Sequence, residues 1–321
     1  MKRPFAPRMS RASDTDVEMQ RQVEVIGAAW GLGGVDPGCA EAPAVLAPLL
    51  AARLAECGVA AITGPTLSTL PSERRKQFAV SKLCGLLAAA VAQALRNTHL
   101  PCVLGGDHTC AGGTWSGVAR TLRGDLGLIW VDAHMDSHTP RTSHSGRLHG
   151  MPLAWLLGQD DDPLYGLASG VVRPEHVSLI GVRSYEPEEA ERLARLGVRV
   201  FHMDEVRARG LDVVFDEALE IANLGTEAFG ISVDLDVITP EDAPGVAVPA
   251  AGGLAGTELA HALERMASET RLAALELVEY CPRRDRNGRS ARVAIELLVA
   301  ALCGPRQDAQ VLSTALDRDQ P

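Results

Sequence analysis

Gly127-Leu128-Ile129-Trp130-Val131-Asp132-Ala133-His134-Met135-Asp136 is the stretch on which the reading of this chain turns. Five residues without a polar side chain read as a buried strand. Directly after them stand two carboxylates and an imidazole at i, i+2 and i+4, which on an extended backbone would all leave one face. The arrangement recurs on either side. Pro101–Leu104 leads into Gly105-Gly106-Asp107-His108, Phe229–Val233 into Asp234-Leu235-Asp236, and Leu272–Val278 into Glu279. Further apolar runs lie at Val23–Ala29, Val177–Val182 and Val198–Phe201, while residues 44–57, 77–95, 187–196, 257–268 and 290–303 carry Ala and Leu at helical spacing. Strands alternating with helices predict an α/β chain with a parallel sheet covered on both faces. No linker rich in Pro, Gly or Ser divides it, so one domain is expected. In open parallel sheets, sites form at the carboxyl ends of strands. Four such ends carrying His and carboxylates therefore predict one crevice.

The expected ligand pool is two imidazoles, His108 and His134, and four carboxylates, Asp132, Asp136, Asp234 and Asp236. Asp is common at strand ends as a turn or capping residue, so one alone says little. Three clusters, each at the end of an apolar run, say more. Carboxylate oxygen with some imidazole suits Mn, Mg or Fe. Four carboxylates balance two divalent cations, and without cations they would repel until some took protons. His108 follows a Gly-Gly turn, where the backbone can bend tightly. Asp107 reads as a structural partner that orients the turn or a ligand.

The rest of the chain sets limits. Its 321 residues, 46% hydrophobic and 22% charged, suffice for a sizeable core. A formal net charge of −10 argues against nucleic acid or an anionic membrane as partner. Seven cysteines, an odd number with no CxxC pair, read as reduced thiols in a reducing compartment, hence cytoplasmic. Residues 1–21 lack a continuous apolar run and read as a polar, disordered lead-in without a signal. Residues 22–310 are then the catalytic domain and 311–321 a C-terminal tail. The longest apolar stretch, Leu83–Leu95, is interrupted by Gly and Gln and reads as too short to span a bilayer. Gly31-Leu32-Gly33-Gly34 does not match a dinucleotide fingerprint. The basic stretch Arg283–Arg292 reads as a solvated loop or a subunit contact.

These motifs resemble the arginase (ureohydrolase) family. The resemblance is carried by Gly105-Gly106-Asp107-His108-Thr109, by Asp132-Ala133-His134-Met135-Asp136, and by Ser232-Val233-Asp234-Leu235-Asp236 with a Pro-containing loop and Gly252-Gly253 after it. Leu148-His149-Gly150-Met151-Pro152 resembles the arginase branch in particular. The resemblance runs in the family's order from about Val23 to Leu302. It implies a three-layer, doubly wound fold around a predominantly parallel eight-stranded sheet. It also implies two Mn²⁺ ions about 3.5 Å apart, one held by His108, Asp132, Asp136 and Asp234, the other by Asp132, His134, Asp234 and Asp236. A small guanidino substrate, cleavage to urea and an amine, and a homotrimer or homohexamer are implied as well. On this reading Asp236 passes a proton to the leaving nitrogen, His149 exchanges protons with solvent, and Glu279 orients the guanidinium. His149 is also readable as a loop histidine packed on Pro152 and Trp155, and Glu279 as a partner of Arg283 or Arg284.

Substrate identity is expected to lie in the loop Ser137–Arg147. There Ser143 and Ser145 would meet a carboxylate. His138 and Arg147 stand where arginases typically carry Asn, and Glu186 stands where an Asp commonly binds the substrate's α-amino group. Arg147 would bind a carboxylate more strongly than Asn or would fill the pocket. The first expectation is L-arginine to L-ornithine and urea, and the second another guanidino acid such as 4-guanidinobutyrate. Agmatine, without a carboxylate, fits this loop less well. Two other classes are a catalytically silent ligand-binding protein, which would need neither His149 nor Glu279, and a single-metal amide hydrolase like the zinc deacetylases.

Overall fold

All six residues of Leu126–Val131 are buried, and their five side chains divide by alternation: Leu126, Leu128 and Trp130 enter one core, Ile129 and Val131 the other. A strand buried on both faces is what a central position in a parallel sheet requires. The computed structural model describes residues 21–68, 76–159 and 170–305. The lead-in and the C-terminal tail expected from the sequence lie outside the described residues, apart from Arg21, whose guanidinium donates to Leu272 O (2.8 Å).

Eight strands form one sheet: β1 (Val23–Ala29), β2 (Ala61–Ser68), β3 (Leu100–Gly105), β4 (Leu126–Val131), β5 (Val177–Val182), β6 (Arg199–His202), β7 (Ala228–Asp234) and β8 (Leu272–Val278). Their spatial order is β2-β1-β3-β8-β7-β4-β5-β6, with every pair parallel. The helices are α1 (Ala42–Glu56), α2 (Lys76–Arg96), α3 (Ala111–Ala119), α4 (Pro152–Leu156), α5 (Pro187–Leu196), α6 (Met203–Arg209), α7 (Leu211–Asn223), α8 (Gly256–Leu263) and α9 (Arg289–Cys303). Leu50 of α1, Val206 of α6, Phe215 of α7, Leu259 of α8 and Leu298 of α9 share one core, while Leu87 of α2, Trp115 of α3, Leu153 of α4 and Leu193 of α5 share the other. The three layers expected from the resemblance are present, and the sheet is parallel throughout.

The apolar pattern of the sequence does not mark β2 or four of the helices. Ala61–Ser68 alternates between exposed and half-buried residues and contains Gly64 and Pro65, so no apolar run stands out there. Proline is tolerated because β2 is an edge strand. Helix α3, AGGTWSGVA, has poor helix formers. Its glycines serve packing instead, since a Cβ at Gly117 would lie 2.7 Å from Ala88 O on α2. Helix α2 extends the apolar stretch Leu83–Leu95 at both ends. At 21 residues it is long enough to cross a bilayer, but Val80, Leu83, Leu87 and Val91 on it are buried against the sheet. The basic stretch is only partly a loop, because Arg289 begins α9.

Candidate metal centre

Strands β3, β8, β7 and β4 are neighbours at the centre of the sheet, so the segments that follow them open at one carboxyl edge. His108 opens a 3-10 turn after β3. Asp107 caps that turn, accepting from Thr109 N (3.0 Å) and from the Thr109 hydroxyl, while its other oxygen accepts from Gly33 N (2.7 Å) and Gly34 N (3.2 Å). Asp107 therefore ties the Gly-rich loop after β1 to the His108 turn, in the structural role expected of it. Gly106 is required for close approach: a Cβ there would lie 1.8 Å from Trp30 O.

The stretch after β4 is not extended. The strand stops at Val131, His134 N turns back to donate to Asp132 Oδ1 (2.7 Å), and Asp136 adopts φ +45°. The ligand-type side chains thus converge through a bend and not through pleat alternation. Asp234 closes β7, and its carboxylate accepts from Asp236 N (2.9 Å) to start a second 3-10 turn.

His108 Nδ1 lies 3.0 Å from Asp136 Oδ2 and 3.3 Å from both Asp132 Oδ2 and Asp234 Oδ2. His134 Nδ1 lies 3.1 Å from Asp236 Oδ2 and 3.5 Å from Asp132 Oδ1. Two triads, His108–Asp132–Asp234 and Asp132–His134–Asp236, bring their donor atoms together and share Asp132. Trp130 stacks on His108 with ring centroids 4.1 Å apart and donates to Asp132 Oδ2 (2.9 Å).

Charge in this cluster is unbalanced. Burial pushes Asp234 well up, and the charges of Asp236 and Asp132 add to the shift. Burial, with Asp132 beside it, pushes Asp136 up to about 6. Burial also raises Asp236. It opposes ionisation of Asp132 too, but the imidazoles on both sides outweigh it and hold that carboxyl low.

Hydrogen bonding at His108 points to a cation. The Ser232 hydroxyl donates to Glu276 Oε2 (2.7 Å) and lies 3.0 Å from His108 Nε2. Having given away its one proton, it accepts from Nε2–H. In a neutral ring that places the lone pair on Nδ1, which is buried and faces three carboxylate oxygens. With no cation among them, burial disfavours a charged ring, but the same carboxylates hold a proton on it and push His108 well above its ordinary range. Acceptors gathered around an acceptor fit a cation between them, and this donor set fits a hard divalent ion.

A cavity of about 280 Å³ opens above the cluster. His134, Asp136, Asp234 and Asp236 line it, and His149, Ser145, Arg147 and the pair Val35 and Val248 complete much of its wall. His149 Nδ1 lies 2.9 Å from Glu279 Oε1. Burial would favour neutral His149, but the Glu279 carboxylate, helped by Asp136 and Asp107, pushes it up to about 9. Glu279 is buried, and burial alone would raise its pKa. The charge and hydrogen bond of His149, with the His108 N–H (2.9 Å), outweigh burial and hold Glu279 low. Glu279 also has φ +63°, an uncommon conformation for a non-glycine residue. Arg283 and Arg284 pair with Glu41 and Asp36 and leave Glu279 to His149.

At the mouth, His138 Nε2 lies 3.0 Å from Glu186 Oε2 and 3.3 Å from Glu189 Oε2. Glu186 and Glu189 also form the capping box of α5. Here, unlike at His108, the ring nitrogen makes a true hydrogen bond to Glu186. His138, Ser145, Arg147 and Glu186 all line the cavity; Ser143 lies outside that lining, with its hydroxyl accepting from Gly146 N (3.0 Å). A larger hollow of about 540 Å³, lined by His261, Arg265 and Cys303 among others, contains none of these residues.

Residues 21–304 match the profile of the Arginase family. This chain belongs to the arginase family. It is 41% identical over 229 residues to the arginase of Bacillus caldovelox, covering 71% of this chain and 76% of that protein. It is 34% identical over 299 residues to the arginase of Bacillus subtilis, covering 88% and 98%. A crystal structure of the Bacillus subtilis arginase superposes with a TM-score of 0.83 at 32% identity, covering 89% of this chain and all of that one. The arginase-like fold and the hydrolase class expected from the motifs are those of this family.

Sequence reasoning passes over three residues of this arginase-family site. Glu189 is hidden inside a helix, although an acid three residues after Glu186 is a capping-box signal. Glu276 is a lone carboxylate inside the apolar run of β8, and that isolation is the signal that could find it. Arg183 donates to Asp236 O (2.7 Å), Ala250 O (3.2 Å) and Ala251 O (3.0 Å), clamping the loop after β7. Nothing local in the sequence announces that contact.

Proposed function

We propose that this chain hydrolyses the guanidino group of L-arginine to L-ornithine and urea with two Mn²⁺ ions. The observation that carries the reading is the buried His108 Nδ1 facing three carboxylates, with the His149–Glu279 pair beside them. His108, Asp132, Asp136 and Asp234 would hold one ion, and Asp132, His134, Asp234 and Asp236 the other. When bound, such a pair lowers the pKa of water toward neutrality and acts as a Lewis acid. Asp236 takes a proton from the attacking water and passes it to the leaving nitrogen as the carbon–nitrogen bond breaks. His149, on the cavity wall, exchanges protons with solvent. Glu279, ionised and buried, accepts hydrogen bonds from the guanidinium and fixes its orientation. Ser145 and Arg147 receive the substrate carboxylate, with Ser143 as a further candidate from the same loop.

A second reading, 4-guanidinobutyrate, is favoured by His138. The two carboxylates suited to an α-ammonium, Glu186 and Glu189, already have His138 as partner. A guanidino acid without that ammonium leaves the triad undisturbed. The Mn²⁺-loaded protein is therefore assayed against arginine, agmatine, 4-guanidinobutyrate, 3-guanidinopropionate and N-formimidoylglutamate, with urea and formamide both followed. Arginine giving urea with the highest kcat/KM supports the first reading. A higher value for 4-guanidinobutyrate replaces it with the second, and no urea from any guanidino compound ends both.

Seven unbonded cysteines support a reducing, cytoplasmic setting. The family's usual trimer or hexamer is the proposed assembly, to be measured by light scattering.

A further inference from the structure

We propose that Glu276 is a positioning residue that selectively supports the metal position at His108, acting through Ser232. The inference rests on the two-ion reading above. Glu276 sits in the middle of β8, in register with Ser232 of β7 on one side and Val103 of β3 on the other, and is fully buried. Three donors converge on its carboxylate: the Ser232 hydroxyl at 2.7 Å, the Thr114 hydroxyl at 2.5 Å and the Cys110 thiol at 3.4 Å. Among the described residues, no Lys, Arg or His side chain bonds to it directly. Three donors suit an ionised carboxylate, so its hydrogen bonds are met while its charge has no adjacent partner. A buried charge needs compensation. The hydrogen-bond chain from Glu276 leads through Ser232 to His108, and so to the place where a cation fits.

That chain fixes more than charge. Because Ser232 donates to Glu276, it accepts Nε2–H of His108, so a neutral ring, the form that binds a metal, is held as the tautomer whose Nδ1 lone pair faces the carboxylates. Stacking on Trp130 holds the ring plane. A ligating imidazole oriented by a carboxylate is a recognised way to strengthen a metal site; here a serine hydroxyl is interposed. His134 has no equivalent. Its side chain is 22% exposed, and its Nε2 makes no hydrogen bond to a described residue. The two positions therefore differ in what stands behind them, and loss of Glu276 should be felt at one and not at both.

The test is Mn²⁺ binding to the full chain, by calorimetry and by metal analysis after equilibrium dialysis. Circular dichroism of the metal-free variants monitors the fold. Wild type is expected to bind two ions. Glu276→Gln should weaken one of them about 10–100-fold, so that dialysis at an intermediate Mn²⁺ concentration retains one ion per chain. Ser232→Ala, which keeps the carboxylate but cuts the link, should weaken one ion as well, and it decides the matter should Glu276→Gln fail to fold. Thr114→Val, which leaves the link intact, should bind two ions nearly as wild type does. Two ions at wild-type affinity in both Glu276→Gln and Ser232→Ala overturn the inference alone. Equal weakening of both ions overturns it too, since that is loss of general stability. A wild type that binds fewer than two ions overturns the two-ion reading, and the inference with it.

Discussion

His149 Nδ1 and Glu279 Oε1 are 2.9 Å apart, joining a residue of the Leu148–Pro152 motif to the one that follows β8. The proton carrier and the guanidinium acceptor proposed here are thus one ion pair, and neither titrates independently of the other. In metal-free protein His149 titrates at about 9 because of that carboxylate. Glu279→Gln removes the charge and keeps the burial. We expect the His149 pKa to fall to its ordinary value of about 6.5 or lower, as read by NMR titration of the ring protons. A value still near 9 would mean that other carboxylates hold the proton.

Glu189 carries a pH dependence of the fold itself. Burial pushes its carboxyl from an ordinary 4.5 up to about 8. The folded chain therefore binds this proton more tightly than the unfolded chain does. Between those values stability falls as pH rises, because ionisation is easier after unfolding. Glu189→Gln removes the penalty. The thermal midpoint of the metal-free variant, minus that of wild type, should grow from pH 5 to pH 9. A difference that stays flat across this range counts against a buried, protonated Glu189.

Arg147 lines the cavity from an exposed position. If it meets the substrate carboxylate, Arg147→Ala should raise KM severalfold, to about tenfold, for arginine or 4-guanidinobutyrate. This is the low end for a charge-assisted bond, since water screens an exposed group. kcat should stay within about twofold, because the contact is remote from the reacting carbon. Any slow turnover of agmatine should be unchanged. A fall in kcat with KM constant would instead place Arg147 in the chemistry.

Metal should stabilise the fold in proportion to occupancy, because the four carboxylates repel when no cation lies among them. Mn²⁺ at about 100 times its Kd adds about 2.7 kcal/mol per ion, and a chelator should reverse the gain. Trp130, stacked on His108, offers a local fluorescence signal for the same titration. A melting temperature indifferent to Mn²⁺ would refute occupancy of this cluster.

Much of the site is legible in the sequence. The apolar runs that end at Leu104, Val131, Val233 and Val278 mark the four central strands to within a residue at their carboxyl ends, and the residue types after them specify the chemistry. Less legible are elements whose reason is packing. Edge strand β2 alternates and contains proline, and α3 exists because its glycines let it press on α2. The spacing of Asp132, His134 and Asp136 also suggests an extended segment that the fold does not contain. The hydrogen bond from His134 N to Asp132 bends it, a competition between side chain and ladder that spacing does not reveal.

Residue identity and spacing alone determined the α/β class, the carboxyl edge of the sheet and the six candidate metal-binding side chains, because these follow from local alternation and donor chemistry. Only the tertiary structure decided which charges share a partner. His149 meets Glu279 across 130 positions, Ser232 meets Glu276 across 44, and His138 reaches Glu186 across 48. Such pairings depend on approach to within about 3 Å, and that approach is set by how the strand ends and loops pack, not by any pattern along the chain.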